Sequence, residues 1–331
     1  MRLALLAVLL LLAPPAAAQA IREVPIPHAL FPSGLTVAPD GTVLIADRLG
    51  DQLIGFAPDS QRFTRVELEK NTQPRAVAVD GGGGVWLANS GMGRVDRLNP
   101  PGRVKPGDEP IDQFTLPSQR GSRTMLAPWA LALPPAHDVL WFTVDSGLIG
   151  RLPTATPRVR RGSPLAVQET KVGSSADRLY GIAAGPGVAW AAAAGSDQLI
   201  RITETGDITR VALGAGSRPR SVAVGADGVV WAALYGRRQL ARVDPRSLEV
   251  TAWALPSGER AVPAALAVDG AGAVWIADMG GDAIVRFEPA RQRFTSLSIP
   301  TRGARVQALA VDARGRLWYV GAVSRRLGVV E

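Results

Sequence analysis

Ser221-Val-Ala-Val224, Ala226-Asp-Gly228, Val229-Val-Trp-Ala-Ala233, Gln239-Leu-Ala-Arg-Val243 and Glu249-Val-Thr-Ala-Trp-Ala-Leu255 follow one another along the chain. The four longer runs alternate or are short and apolar, as strands do. Asp227-Gly228 between the first two is turn chemistry, with glycine supplying the positive φ of a tight hairpin. The stretch therefore reads as one antiparallel unit of four strands, A to D. A single such unit cannot bury its own face, so its copies decide the fold.

The copies are present. Before each strand B lies a small-apolar strand A: Pro32-Ser-Gly-Leu-Thr-Val37, Pro74-Arg-Ala-Val-Ala-Val79, Pro128-Trp-Ala-Leu-Ala-Leu133, Leu179-Tyr-Gly-Ile-Ala-Ala184, Pro219-Arg-Ser-Val-Ala-Val224, Pro263-Ala-Ala-Leu-Ala-Val268 and Arg305-Val-Gln-Ala-Leu-Ala-Val311. Strand B then carries Trp86, Trp141, Trp190, Trp231, Trp275 or Trp318, with Leu44 in that place in the first copy. A period of roughly 40–45 residues with several short strands per unit is the signature of a β-propeller. Seven copies predict an all-β, seven-bladed propeller over residues 21–331. Small residues on strand A suit inner strands crowded at an axis, and the periodic tryptophans read as packing between blades.

The last copy stops after its strand C, Leu327–Val330, and lacks a strand D. Ile21-Arg-Glu-Val-Pro-Ile-Pro27 resembles a D strand such as Phe294-Thr-Ser-Leu-Ser-Ile-Pro300. The N-terminal segment is therefore expected to complete the seventh blade and close the ring. Ahead of it, Arg2, the apolar Leu3–Ala13 and Ala18-Gln19-Ala20 read as a signal peptide over residues 1–20, with export to the periplasm or the medium. Its apolar run is shorter than a membrane span needs and is interrupted by Pro14-Pro15.

The chain has no cysteine and a net charge of +8, almost all of it from arginine. The arginines are spread over the blades, which together with export speaks against nucleic acid as a partner. A monomer is expected. Arg158, Arg160 and Arg161 form one basic loop between strands C and D of the third blade. No phosphate-binding loop, dinucleotide fingerprint or nucleophile elbow is present.

Leu140-Trp-Phe-Thr143 with Leu148-Ile-Gly-Arg-Leu152, and Leu199-Ile-Arg-Ile-Thr-Glu-Thr-Gly-Asp-Ile-Thr209, resemble the blades of the streptogramin B (virginiamycin B) lyases. The resemblance runs over the whole of residues 21–331. It implies a seven-bladed propeller and a Mg²⁺-assisted elimination that opens the ester-linked ring of a cyclic depsipeptide. It also implies a histidine just after the strand A start in the sixth and seventh blades, and a glutamate four residues beyond the last Trp. Those positions here are Ala264, Gln307 and Ala322. The resemblance thus carries over the fold and the place of the site, not a catalytic set, and Mg²⁺ is implied by it alone. Neither histidine of this chain, His28 or His137, stands at a matching position.

Strand A begins and strand B ends at one face, the top. Ser33, Arg75, Trp129, Tyr180, Arg220, Ala264 and Gln307 form a first ring there. Asp47, Arg48, Asn89, Ser90, Asp145, Tyr235, Asp278 and Met279 form a second, after strand B. Arg75, Trp129, Tyr180, Arg220, Tyr235, Asp278 and Gln307 are the candidate ligand contacts. Arginine offers a bidentate fork to carboxylate or phosphate, so a small or peptide ligand with an anionic group is expected. Trp129 and Tyr180 are expected to pack its apolar part. Asp47, Asn89 and Asp278 offer oxygen ligands but lie on blades one, two and six, and no metal ligand set is assigned. Three functions remain: a ligand-binding propeller, a lyase or hydrolase with a different set such as Asp278, Tyr180 and Arg220, and a scaffold for another protein.

Overall fold

A Cβ added to Gly34 would lie 2.7 Å from the Arg75 carbonyl oxygen, and one added to Gly181 2.9 Å from that of Arg220. Neighbouring A strands thus meet backbone to backbone, which is why the inner strands are written in Gly, Ala and Ser. In the computed structural model, which describes residues 20–100, 110–119, 125–155 and 167–331, these strands line a central axis. Outside them lie the remaining strands of seven four-stranded antiparallel sheets. The expected signal peptide and the basic loop at Arg158, Arg160 and Arg161 lie outside the described residues.

The fifth blade runs Pro219–Val224, Val230–Leu234, Gln239–Val243 and Val250–Ala254, within two residues of the runs read from the sequence. Trp86, Trp141 and Trp190 are fully buried, and Trp231, Trp275 and Trp318 nearly so. Each sits in a hydrophobic cluster shared by adjacent blades, such as Trp231 with Leu266, Ile276 and Phe287. Three indoles also donate to an A–B turn carboxylate: Trp86 to Asp80, Trp275 to Asp269 and Trp318 to Asp312, each at 2.9 Å.

The ring closes as the missing strand D required. Strand β1 (Ile21–Pro25) pairs antiparallel with β28 (Arg326–Val330), from Ile21 opposite Val330 to Pro25 opposite Arg326. Arg22 forms an ion pair with Glu331. The Tyr319 hydroxyl donates to Glu23 at 2.8 Å, and Thr301 of the sixth blade donates to the other oxygen of the same carboxylate at 2.6 Å. Among the described residues no helix is long and apolar enough to cross a membrane.

Candidate functional site

The first ring owes its position to a defect repeated in every blade. Between Pro32 and Gly34, Pro74 and Ala76, Pro219 and Ser221, Pro263 and Ala265, and Val306 and Ala308, strand A gains one residue on strand B. The same slip falls between Pro128 and Leu131 and between Leu179 and Ile182. Such a bulge leaves a residue out of the ladder and re-aims its side chain. Ser33, Arg75, Trp129, Tyr180, Arg220, Ala264 and Gln307 all sit in these slips. Ser33, Arg75, Trp129, Arg220, Ala264 and Gln307 line one axial cavity of about 380 Å³, a size suited to a small molecule.

Arginines and aromatics in the ring form one continuous stack. The Arg75 guanidinium carbon lies 3.8 Å from the Trp129 ring centre. Trp129 meets Tyr180 at 4.9 Å between centroids. Arg220 then stands 5.5 Å from the Tyr180 ring and 5.8 Å from that of Tyr235. The stack passes through blades two, three, four and five. Arg48 extends the arc into blade one, 5.1 Å over Phe31, and both line the cavity. Blades six and seven present the small Ala264 and the neutral Gln307, and the Gln307 amide reaches Met279 Sδ at 3.7 Å.

The arc is cationic and short of counter-charge. Arg48, Arg75 and Arg220 make no ion pair among the described residues, and the Nε groups of Arg48 and Arg75 are buried without a hydrogen-bond partner. Arg75 is lowered to about 10, first by burial and then by the positive charges of Arg48 and Arg220, while Asp145 opposes them. A guanidinium whose face rests on an aromatic ring keeps its N–H edge for a ligand.

Trp129 lines the cavity and also bears on Arg75 and Tyr180, while Tyr180 bears on Trp129 and Arg220. Tyr180 and Tyr235 do not line the cavity; both rings stand near Arg220. Asp278 also lies off the cavity. Its Oδ1 accepts the N–H of Val262 at 2.7 Å and of Gly281 at 3.2 Å, while its buried Oδ2 has no partner. Asp47 likewise accepts from the backbone of Leu30 and Phe31 and from Gln52. Asp145 accepts from Ala127 at 3.1 Å. In all three blades an aspartate after strand B clasps the N–H just ahead of the strand A proline. Asn89 turns into its own blade and donates to Asp96 at 2.7 Å.

These placements do not fit Mg²⁺. The cavity wall carries three guanidinium groups and no carboxylate, and among the described residues no three His, Cys, Asp or Glu side chains gather as a ligand set. His28 is exposed beyond the closing strand. His137 approaches the Val79 carbonyl at 3.2 Å, at the far end of the strands. Arg48 and Phe31 are the contacts that sequence reasoning left out of the candidate set. Their signal was positional: Arg48 is the second residue after Ala46 in the ring that follows strand B, and Phe31 directly precedes the strand A proline.

The sequence pattern of the virginiamycin B lyase family matches residues 136–331. Among solved structures, a streptogramin B lyase is 18% identical with a TM-score of 0.81, over 95% of this chain and 97% of that one. Virginiamycin B lyase from Staphylococcus aureus is 20% identical with a TM-score of 0.80, over 95% of this chain and 99% of that one. A catalytically inactive form of the same enzyme, solved with quinupristin, is 21% identical with a TM-score of 0.80, again over 95% and 99%. No curated protein matches. At these identities the solved structures speak for the fold. With more than half of its length matched and seven four-stranded blades closed by its N-terminal strand, the chain belongs to the virginiamycin B lyase family.

Proposed function

We propose that this protein is an exported binder of a small anionic molecule, held in the axial cavity at the top face, and that the family's ring-opening elimination does not operate in it. The observation that carries the reading is the uncompensated arc of Arg48, Arg75 and Arg220 around a cavity of about 380 Å³. A cation taken partly out of water without a partner is unfavourable, and an incoming carboxylate or phosphate relieves that. Ala264, Gln307 and Ala322, at the positions where the resemblance implies histidines and a glutamate, offer no titratable base. Asp278 and Tyr180, the members of an alternative catalytic set, are engaged with backbone and with Trp129 and Arg220. Export to the periplasm or the medium is supported by Arg2, Leu3–Ala13 and the small-x-small Ala18-Gln19-Ala20 just ahead of the first strand.

The test is a thermal-shift and calorimetric screen of carboxylates and phosphates, repeated on Arg75→Ala and Arg220→Ala. Each substitution is expected to weaken an anionic hit by about 1.5–3 kcal/mol, the range for a charge-assisted hydrogen bond. Hits that are mostly neutral or cationic, or that bind both variants unchanged, would overturn the reading. A parallel incubation with quinupristin decides the chemistry: linear product formed at enzyme-like rates would show that a lyase is at work.

A further inference from the structure

We infer that the ligand of the axial cavity carries two separate anionic groups, one met by Arg48 and Arg75 and the other by Arg220. This rests on the reading above that the cavity takes an anion. Three features of the arc lead to it. First, the arginines are divided. Arg48 and Arg75 come from adjacent blades one and two, while Arg220 comes from blade five, with Trp129 and Tyr180 standing between Arg75 and Arg220. A single carboxylate has no reach across two intervening rings.

Second, the cavity wall is cationic: it carries the three guanidinium groups and no carboxylate. Arg48 and Arg220 both act on Arg75, with Asp145 and Tyr180 opposing them. Third, each guanidinium stands over an aromatic ring: Arg48 over Phe31, Arg75 over Trp129, and Arg220 near Tyr180 and Tyr235. A guanidinium in contact with a ring has less rotamer freedom left to lose on binding. The unpaired Nε groups of Arg48 and Arg75 are donors already desolvated at the blade-one and blade-two end. The wall of blades six and seven, Ala264 and Gln307, is uncharged and leaves room for the spacer between the two acids.

The experiment is calorimetric titration of the full chain at neutral pH and low salt with benzoate, isophthalate, terephthalate and phenyl phosphate. It is repeated on Arg48→Gln and Arg220→Gln after a thermal melt shows that each is folded. One of the two dicarboxylates is expected to bind at least tenfold more tightly than benzoate. Each variant is expected to bring that dicarboxylate down to the level of benzoate. Benzoate binding as tightly as both dicarboxylates overturns the inference and leaves the anion reading in place. So does phenyl phosphate, with its charge on one group, outbinding both, and so does a dicarboxylate preference that survives in Arg48→Gln. The wild-type comparison stands even if a variant fails to fold. Failure of all four probes to bind overturns the anion reading itself.

Discussion

Arg75 lies 3.8 Å over the ring of Trp129, a residue of the next blade, and forms no ion pair among the described residues. The contact is a cation–π stack in place of a salt bridge. It orients the guanidinium without neutralising it. On the proposed reading, an anion would supply the counter-charge that the ring does not.

Arg75→Gln is therefore expected to raise the melting temperature of the ligand-free protein at low ionic strength while weakening anion binding. The sign follows from linkage. Burial and neighbouring cations lower Arg75 to about 10. The folded state thus binds its proton less tightly than the unfolded chain, and the charged form opposes folding at neutral pH. The wild type should gain this contribution as pH rises through about 10. Melting curves of both proteins at low and high salt check it; salt should narrow the gap.

Asp312→Ala is expected to destabilise by about 2–4 kcal/mol, and Asp40→Ala by less than about 1 kcal/mol, on the scale for lost buried and exposed hydrogen bonds. Asp312 accepts from the backbone of Arg314 and Arg316, the Arg316 side chain and the Trp318 indole. Asp40 accepts from Thr42. Although burial pushes the Asp312 carboxyl up, the bonds from Trp318 and Arg316 outweigh it and hold the group below its usual 3.8. Its contribution is present above that pH and lost as pH falls through the lowered value. Urea unfolding from pH 7 down to pH 3 should show the gap between wild type and Asp312→Asn closing on the acid side.

A chain beginning at residue 29 is expected to melt far below the full chain and to self-associate. It loses the five-residue strand paired with Arg326–Val330 and exposes that edge. Glu23→Ala is the milder form. It leaves Tyr319 and Thr301 without their acceptor and should destabilise by about 1–3 kcal/mol. Size-exclusion chromatography with thermal melts checks both.

Gly34→Ala tests the inner ring. The added methyl would press on the backbone of Arg75 and Ala76 at 2.7 and 2.9 Å, where neither atom can swing away. A loss of about 1–3 kcal/mol is expected, the usual size of overpacking. Because the pressed carbonyl belongs to Arg75, anion affinity should fall with stability. Denaturation and titration of the same variant measure both.

The strands of blade five were legible because period-two alternation survives wherever one face is buried. The closing strand was legible because a blade without its fourth strand leaves an edge that some segment must cover. The ring from Ser33 to Gln307 was legible because each member follows the start of strand A. The contacts of its aromatics were not. Nothing in the order of residues says that Trp129 of one blade lies on Arg75 of another, or that Tyr180 and Tyr235 both approach Arg220. The partners of Asp47 and Asp278 were hidden for a related reason: an aspartate at a strand end looks the same in sequence whether it faces a ligand or a backbone N–H.

Sequence alone determined the repeat, the blade, the number of blades and the closure, since these depend on local alternation, turn residues and a period, all written along the chain. Tertiary structure decided which side chains face the axis together and with what partner. The contacts between blades join residues about forty to fifty-five positions apart, from Tyr180 with Arg220 to Arg75 with Trp129. Their geometry is set by a one-residue bulge and by the close approach of neighbouring A strands, quantities that exist only once the ring has closed.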